Sequence, residues 1–154
     1  MRLFALCSAA FALAALLSGC GSADTAGSLD SLETKEIIMP DSRTIRVEVM
    51  IKPVDLQRGM MYRDSLPEGR GMLFWHKQTS PYTYWMYQVK IPLDLIFIDA
   101  QHRVLGVSAN TPPCQIRASD CPHYGGYEGT KFVLEIGGGQ ARKYGVEPGT
   151  TISF

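Results

Sequence analysis

The chain has 154 residues, of which 45% are apolar, 19% charged and 10% aromatic, a composition that excludes disordered, collagen-like and coiled-coil proteins. Its 15 Lys and Arg balance its 15 Asp and Glu, and no long run of either sign occurs. Nucleic-acid binding needs clustered positive charge, so no nucleic-acid partner is expected. This length predicts one domain.

The N-terminus has the pattern of an export signal. Met1-Arg2 supplies a positive charge, and residues 3–17 form an uncharged, mostly apolar run. That run fits a signal sequence, because a membrane-spanning helix needs about 20 apolar residues. The tetrad that follows, Leu17-Ser18-Gly19-Cys20, resembles the lipobox of bacterial lipoproteins. The alternative is a buried N-terminal helix that ends in Gly-Cys.

The lipobox resemblance implies a lipid anchor. Residues 1–19 would be removed and Cys20 would carry a diacylglyceryl thioether, making the bilayer a partner. Two or more acyl chains, at about 0.8 kcal/mol per buried CH₂, hold such a protein essentially permanently. The resemblance also implies a bacterium with two membranes, in which Gly21 permits sorting to the outer membrane, facing the periplasm. Residues 20–35 are expected to form a flexible tether, because they begin with small polar residues rich in Gly and Ser.

Two cysteines remain for the mature domain. Cys114 and Cys121 lie in a Pro-rich loop, and an oxidising cell envelope favours a disulfide between them. The competing hypothesis is a metal site that adds His123. Zinc sites usually show a second matching cysteine pair, which this chain lacks. No metal site is therefore predicted.

Residues 36–154 are predicted to be mainly β. Strands are indicated at 37–39, 45–51, 71–76, 82–87, 94–99, 103–109 and 132–136, with a last short strand after Gly149. Pro53 starts a short helix and residues 140–144 make a helical turn. Many short strands separated by turns predict a small antiparallel sandwich or jelly-roll-like barrel with one or two short helices.

An ordered series of motifs then carries a family resemblance. The series comprises 58–63 (RGMMYR), 65–67 (SLP), 71–74 (GMLF), 85–86 (WM), 91–94 (IPLD), 97–99 (FID) and 133–135 (VLE), with Gly145, Gly149 and the cysteine loop. It resembles the domain of unknown function 192 family. The resemblance implies a small, often secreted jelly-roll-like domain without an established activity. One departure is Tyr87-Gln88-Val89, where the family typically has Lys-Asn-Thr.

Recognisable catalytic signatures are missing from the sequence. There is no nucleophile elbow, no zinc helix and no phosphate loop, and the three histidines lie in separate segments. No catalytic residue and no cofactor are therefore predicted. Four methionines of the family motifs, Met60, Met61, Met72 and Met86, would suit Cu(I), although methionine as a core filler is far commoner.

Four charged residues stand out because they lie within apolar segments: Arg58, Arg63, Asp94 and Glu135. Unpaired charges rarely enter a core, so one arginine is expected to pair with Asp94 or Glu135. This ion pair would stabilise the fold from within, or alternatively the arginine would bind an anionic group of a ligand. If the domain binds a ligand, the predicted pocket surrounds Arg63, Trp85 and Asp94, with Arg58 and Glu135 in support.

Two functions follow from these residues. The first is a non-catalytic envelope lipoprotein that binds a small molecule, glycan or partner protein, with the aromatic residues 82–87 as a stacking platform. The second is a hydrolase of envelope material with Asp94 and Glu135 as acid and base. The hydrolase requires both carboxyl groups to face one cleft about 5 to 10 Å apart.

Overall fold

Alternating apolar residues build a mainly β domain in the computed structural model, which describes residues 33–154. The strands are β1 (Thr34–Ile38), β2 (Thr44–Met50), β3 (Arg70–Trp75), β4 (Thr83–Trp85), β5 (Leu93–Ile98), β6 (Val104–Thr111), β7 (His123–Gly125) and β8 (Phe132–Gly137). The α-helices are α1 (Pro53–Arg58) and α2 (Gln140–Lys143), and Ala118–Asp120 form a short 3-10 helix. The predicted signal sequence, Cys20 and most of the tether lie outside the described residues.

Six strands form one sheet in the order β1-β2-β3-β8-β5-β6, while β4 and β7 form a small second sheet. The expected class, mainly β with two short helices, is confirmed. The expected closure into a barrel is not found among residues 33–154, where β1 and β6 are the two edges of the sheet. The chain end lies near both edges, through isolated bridges from Ser153 to Ile38 and from Thr151 to Arg103. The predicted last strand is thus reduced to these bridges.

One strand pair differs from the antiparallel expectation. β2 and β3 run parallel, with Val47 opposite Gly71, because the connection through α1 carries the chain back to the same end of the sheet. A parallel pair requires such a crossover of a dozen or more residues. Strand alternation shows which residues share a face, but it does not show the direction of a neighbouring strand.

Both faces of the large sheet are buried, and each has its own apolar cluster. The first includes Leu73, Ile96 and Leu134 and is completed by residues of α2 and the C-terminal segment. The second includes Met72, Phe74, Leu95, Phe97 and Val133 and lies under the α1 segment, the small sheet and the cysteine loop. All six residues of β5 are buried, as predicted for a central strand. Within residues 33–154, no helix is long and apolar enough to cross a bilayer.

Candidate functional site

A cavity of about 210 Å³ lies between α1, the end of β3 and the small sheet, on the second face. It is slightly larger than an apolar cavity of roughly 150 Å³ that admits benzene. Its lining combines aromatic, thioether and aliphatic side chains with a smaller number of polar groups: Leu56, Gln57, Arg58, Gly59, Met60, Met61, Phe74, His76, Tyr82, Thr83, Tyr84, Trp85, Val89 and Glu135. Apolar walls with few polar groups are typical of small-molecule sites.

Glu135 is the most unusual group in this lining. Its side chain is buried on β8, and its Oε2 has no hydrogen-bond partner among the described residues. Burial raises the pKa of this carboxyl to about 8, although the nearby positive charge of Arg63 opposes the shift. The group is therefore mainly a protonated, neutral acid at pH 7 and can donate a hydrogen bond.

A second polar cluster lies along the wall formed by β3 and β4. His76 Nε2 is 2.9 Å from Tyr84 Oη, and the His76 ring stacks on Tyr82 with centroids 3.6 Å apart. Burial, followed by the positive charge of Lys131, lowers the pKa of His76 to about 4. Burial, followed by the charge of Glu135, raises the pKa of Tyr84 above its usual range. Both side chains are thus neutral at pH 7.

The α1 segment brings Arg58 to the cavity. Pro53 occupies the first helical turn, where its missing N–H costs nothing, and Gly59 ends the helix with φ +46°. A Cβ at Gly59 would lie 3.0 Å from Phe74 Cζ and 4.0 Å from Glu135 Oε2. Glycine therefore lets this turn approach the buried carboxyl closely. Arg58 lines the cavity, is exposed to solvent and forms no ion pair within residues 33–154.

Arg63 does pair internally, but with a partner that the sequence prediction missed. Its Nη1 and Nη2 donate to Glu48 Oε1 and Oε2, each at 2.6 Å, and the Glu48 side chain is only 3% exposed. The expected pairing of an arginine with Asp94 or Glu135 was therefore wrong. Arg63 lies behind the cavity rather than in its lining, and it reaches Glu135 through its charge.

Asp94 is separated from this cavity by the sheet itself. In β5 it alternates with Leu95, and it pairs with Ile136, whereas Leu95 pairs with Glu135. The two predicted carboxyl groups consequently project from opposite faces. Asp94 Oδ1 accepts hydrogen bonds from the backbone N–H groups of Asn110 and Gly139, and Oδ2 accepts one from Ala141. Asp94 therefore holds the loop before α2, and a shared cleft with Glu135 is ruled out.

Of the predicted site residues, Arg58, Trp85 and Glu135 are brought together in the lining. Trp85 is half-buried on β4, and its ring stacks on His123 with centroids 5.7 Å apart. Sequence reasoning missed Glu48 and His76 as parts of this region, whereas Tyr84 belongs to the predicted aromatic platform of residues 82–87. The sequence does contain a pattern that points to Glu48. In the alternating strand β2, the apolar residue Met50 lies on the same face as Glu48, which indicates that this face of the strand is also buried.

The disulfide prediction is confirmed. Cys114 and Cys121 are bonded, with their Cα atoms 6.0 Å apart, and both are buried in the second cluster. The Cys114 N–H donates to the Met86 carbonyl at 3.1 Å, next to the β4 wall of the cavity. The bonded cysteines exclude the alternative zinc site with His123. In the described part of the chain, no cluster of three or more His, Cys, Asp or Glu is placed to hold a metal.

Two solved structures resemble this domain. A protein of unknown function from Novosphingobium aromaticivorans DSM 12444 has a TM-score of 0.73 and 27% identity, over 86% of this chain and 94% of that one. A protein from Sinorhizobium meliloti 1021, provisionally named a transcription regulator, has a TM-score of 0.72 and 27% identity, over 82% of this chain and 97% of that one.

No curated protein matches the chain significantly. Residues 36–154 match the sequence model of DUF192, the domain of unknown function 192, described as "Uncharacterized ACR". The match includes every strand except the first residues of β1 and contains the whole cavity lining. The chain therefore belongs to the DUF192 family.

Proposed function

We propose that this domain is a non-catalytic binding module that holds a small molecule in the Glu135 cavity. The observation that carries the proposal is the buried Glu135 Oε2, which has no partner among the described residues although Glu135 lines the cavity. A buried polar atom without a hydrogen bond costs about 1–3 kcal/mol. A ligand that completes this bond recovers that cost, while Phe74, Tyr84 and Trp85 offer apolar contact area.

The size of the cavity favours a small molecule over a glycan or a partner protein as the ligand. Its volume of about 210 Å³ accommodates one ring with a small substituent, so a glycan chain would leave most of its sugars outside. The walls are also preorganised: Tyr84 packs edge-on against Phe74, with centroids 5.0 Å apart, and Tyr82 stacks on His76. Rigid walls reduce the entropy that binding must overcome.

The alternative function, a hydrolase, is not supported, because its two predicted carboxyl groups do not lie together. Glycoside hydrolysis needs two carboxyl groups that flank one bond, whereas Asp94 and Glu135 project from opposite faces of the sheet. Asp94 is also fully buried, with three backbone N–H groups bound to it. Glu135 alone therefore supports recognition of a ligand better than acid–base catalysis.

The same proposal places the protein in the cell envelope, as a lipoprotein anchored through acylated Cys20 to the periplasmic face of the outer membrane. Two features support this location: the sequence Leu17-Ser18-Gly19-Cys20, and the disulfide between Cys114 and Cys121, which suits an oxidising compartment. A tether between Cys20 and β1 would hold the domain near the bilayer, where it could bind molecules in the periplasm.

The experiment is native mass spectrometry of the full chain, released from detergent micelles, to identify molecules that co-purify with it. A blocking variant, Leu56→Trp, places a large ring at a lining position of α1. Its matched control is Val54→Trp, which carries the same ring at a position that is 66% exposed and outside the lining. We expect a retained molecule in the wild type and in Val54→Trp, and its loss in Leu56→Trp. Equal retention in all three proteins would refute the proposed site.

A further inference from the structure

Two groups of the cavity, the guanidinium of Arg58 and the carboxyl of Glu135, can donate hydrogen bonds to a ligand. Arg58 carries a guanidinium, a donor without acceptor capacity, and it has no ion-pair partner within residues 33–154. Glu135 has a buried carboxyl oxygen without a partner on the same cavity. Both residues line this cavity, and a Cβ at Gly59, which follows Arg58 in the chain, would lie 4.0 Å from Glu135 Oε2.

The charges around Glu135 favour its neutral form. The charged and titratable groups around it are Glu48 of β2, Arg58 of α1, Arg63 of the segment after α1, and the cavity-lining residues His76, Tyr82 and Tyr84. The charge of Arg63 is already balanced by Glu48 through two hydrogen bonds of 2.6 Å. A carboxylate without its own partner is costly in an interior, so Glu135 keeps its proton. Its pKa of about 8 agrees with this assignment.

Resting on the proposed function, we infer that the ligand is a small organic acid whose carboxylate accepts hydrogen bonds from Glu135 and Arg58 while its apolar body lies among the aromatic side chains. A carboxylate has only acceptor oxygens, so it satisfies two donors at once. The charge of Lys131, which lowers the pKa of His76, adds a second positive charge to the region.

Other ligand charges fit less well. An ammonium group would require ionised Glu135 and would lie beside the guanidinium group of Arg58, where like charges repel. An uncharged alcohol could accept from both donors, but it brings no charge to pair with the guanidinium of Arg58. The carboxylate is the one group of the three that both accepts from Glu135 and forms an ion pair with Arg58.

The test compares benzoate, benzylamine and benzyl alcohol, three probes of nearly equal size and different charge. Binding to the full chain in detergent micelles would be measured by ligand-observed NMR, with protein-free micelles as the blank. We expect benzoate to bind at least tenfold more tightly than the other two at pH 7. Between pH 7 and pH 9, deprotonation of Glu135 should weaken benzoate binding about tenfold.

Three variants separate the contributions of the two donors. Glu135→Gln keeps a donor but cannot ionise, so it should bind benzoate with no loss between pH 7 and pH 9. Arg58→Ala should weaken benzoate binding tenfold or more. Arg142→Ala, an exposed arginine of α2 outside the lining, should bind like the wild type.

Two results would overturn the inference while leaving the proposed function standing. One is tighter binding of benzylamine than of benzoate, increasing with pH and lost in Leu56→Trp. The other is equal binding of benzyl alcohol and benzoate, unaffected by Arg58→Ala but lost in Leu56→Trp. Binding of any probe that is unchanged in Leu56→Trp would instead count against the cavity itself, and with it against both the inference and the proposed function.

Discussion

Arg63 and Glu48 form a two-point ion pair beneath the cavity, with both N–O distances at 2.6 Å and Glu48 only 3% exposed. Glu48 and Glu135 lie in one row across the sheet, on either side of Met72. The same guanidinium also lowers the pKa of Glu135. One arginine therefore neutralises one buried carboxylate and partly stabilises the charge of another, which links the packing of β2 to the chemistry of the cavity.

Removing Arg63 should therefore reduce stability. Arg63→Ala leaves Glu48 buried without a counter-charge, and we expect a loss of about 3 kcal/mol or more in the free energy of unfolding. Urea denaturation at pH 7 measures this change. Arg58→Ala is the matched control, because its exposed side chain should change stability by about 0.5 kcal/mol or less.

The double variant Arg63→Leu with Glu48→Leu should recover much of the loss, since it buries no lone charge. An Arg63→Ala protein that unfolds like the wild type would contradict this role.

Asp94 should matter for stability without affecting ligand retention. Asp94→Ala leaves the N–H groups of Asn110, Gly139 and Ala141 without their acceptor. Hydrogen bonds to a charged group contribute about 1.5–3 kcal/mol each, so we expect a loss of at least about 3 kcal/mol. Because the side chain lies on the opposite face from the cavity, the molecules retained at a temperature where the variant is folded should be those of the wild type. Loss of a ligand from folded Asp94→Ala would contradict this separation.

The sequence predicted the fold class well because strand alternation is a local property. The expected strands at 45–51, 94–99 and 132–136 coincide with β2, β5 and β8 to within a residue or two. The short strand β7 was not predicted, because it lies in the cysteine loop and is held by pairing with β4 rather than by its own pattern. The parallel direction of β3 also depends on a long connection, which no local pattern specifies.

The candidate site was predicted only in part, for a similar reason. Chemistry-bearing residues can be recognised singly, and Arg58, Trp85 and Glu135 do meet at the cavity. Which carboxylate Arg63 would contact depended on the order of strands, since Glu48 is 15 positions away in the sequence yet adjacent in space. The face occupied by Asp94 depended on the register between β5 and β8, which the sequence leaves open.

The chain departs from the family pattern at Tyr87-Gln88-Val89, where the backbone is left-handed at Gln88. Gln88 stands where the family typically has Asn, and its φ is +57°. Asn tolerates the left-handed region better than most residues, because its short polar side chain can hydrogen-bond locally. The Gln88 N–H donates to the Cys114 carbonyl, and its own carbonyl accepts from the Tyr62 N–H. This position therefore joins the cysteine loop to the segment after α1 through its backbone.

Glu135 should give the protein a distinctive dependence of stability on pH. The pKa of this carboxyl is about 8 when folded against an ordinary value of 4.5. Because the folded state holds the proton more tightly, stability should fall as pH rises between these two values and level off above about pH 8. Glu135→Gln removes this titration, so its stability relative to the wild type should increase over the same window.

The measurement is chemical denaturation at pH 6.5 and pH 8, with an expected gain in the relative stability of Glu135→Gln of roughly 1.4 kcal/mol per pH unit at most. This range avoids His76, whose pKa is lowered from 6.5 to about 4 and whose contribution to stability is lost only as pH falls through those values. A constant difference between Glu135→Gln and the wild type across the two pH values would contradict the protonated state of Glu135.

The disulfide should support the aromatic wall of the cavity. A bridge across seven positions closes a short ring and should contribute about 2.5 kcal/mol by loop entropy. The double variant Cys114→Ser with Cys121→Ser should lose about that much stability. Its ligand retention should also decrease, because β7, which begins two residues after Cys121, pairs with β4 and its residues Tyr84 and Trp85. Thermal denaturation and native mass spectrometry measure the two effects. If the double variant keeps both the stability and the ligand retention of the wild type, the loop is held by its backbone contacts alone.

The proposed lipid anchor depends on one thiol, that of Cys20, which lies outside the described residues. If Cys20 is acylated and cleavage occurs before it, Cys20→Ser should accumulate as uncleaved precursor or be released in soluble form, because serine cannot form the thioether. Membrane fractionation with mass spectrometry of the N-terminus measures both outcomes. Cys7→Ser is the matched control: it removes a thiol from the segment that would be cut off, and it should be lipidated and fractionate like the wild type. A Cys20→Ser protein that is cleaved and extracted by detergent like the wild type would refute the lipid anchor. The binding site would be unaffected by that result, since the cavity is formed entirely by residues between Leu56 and Glu135.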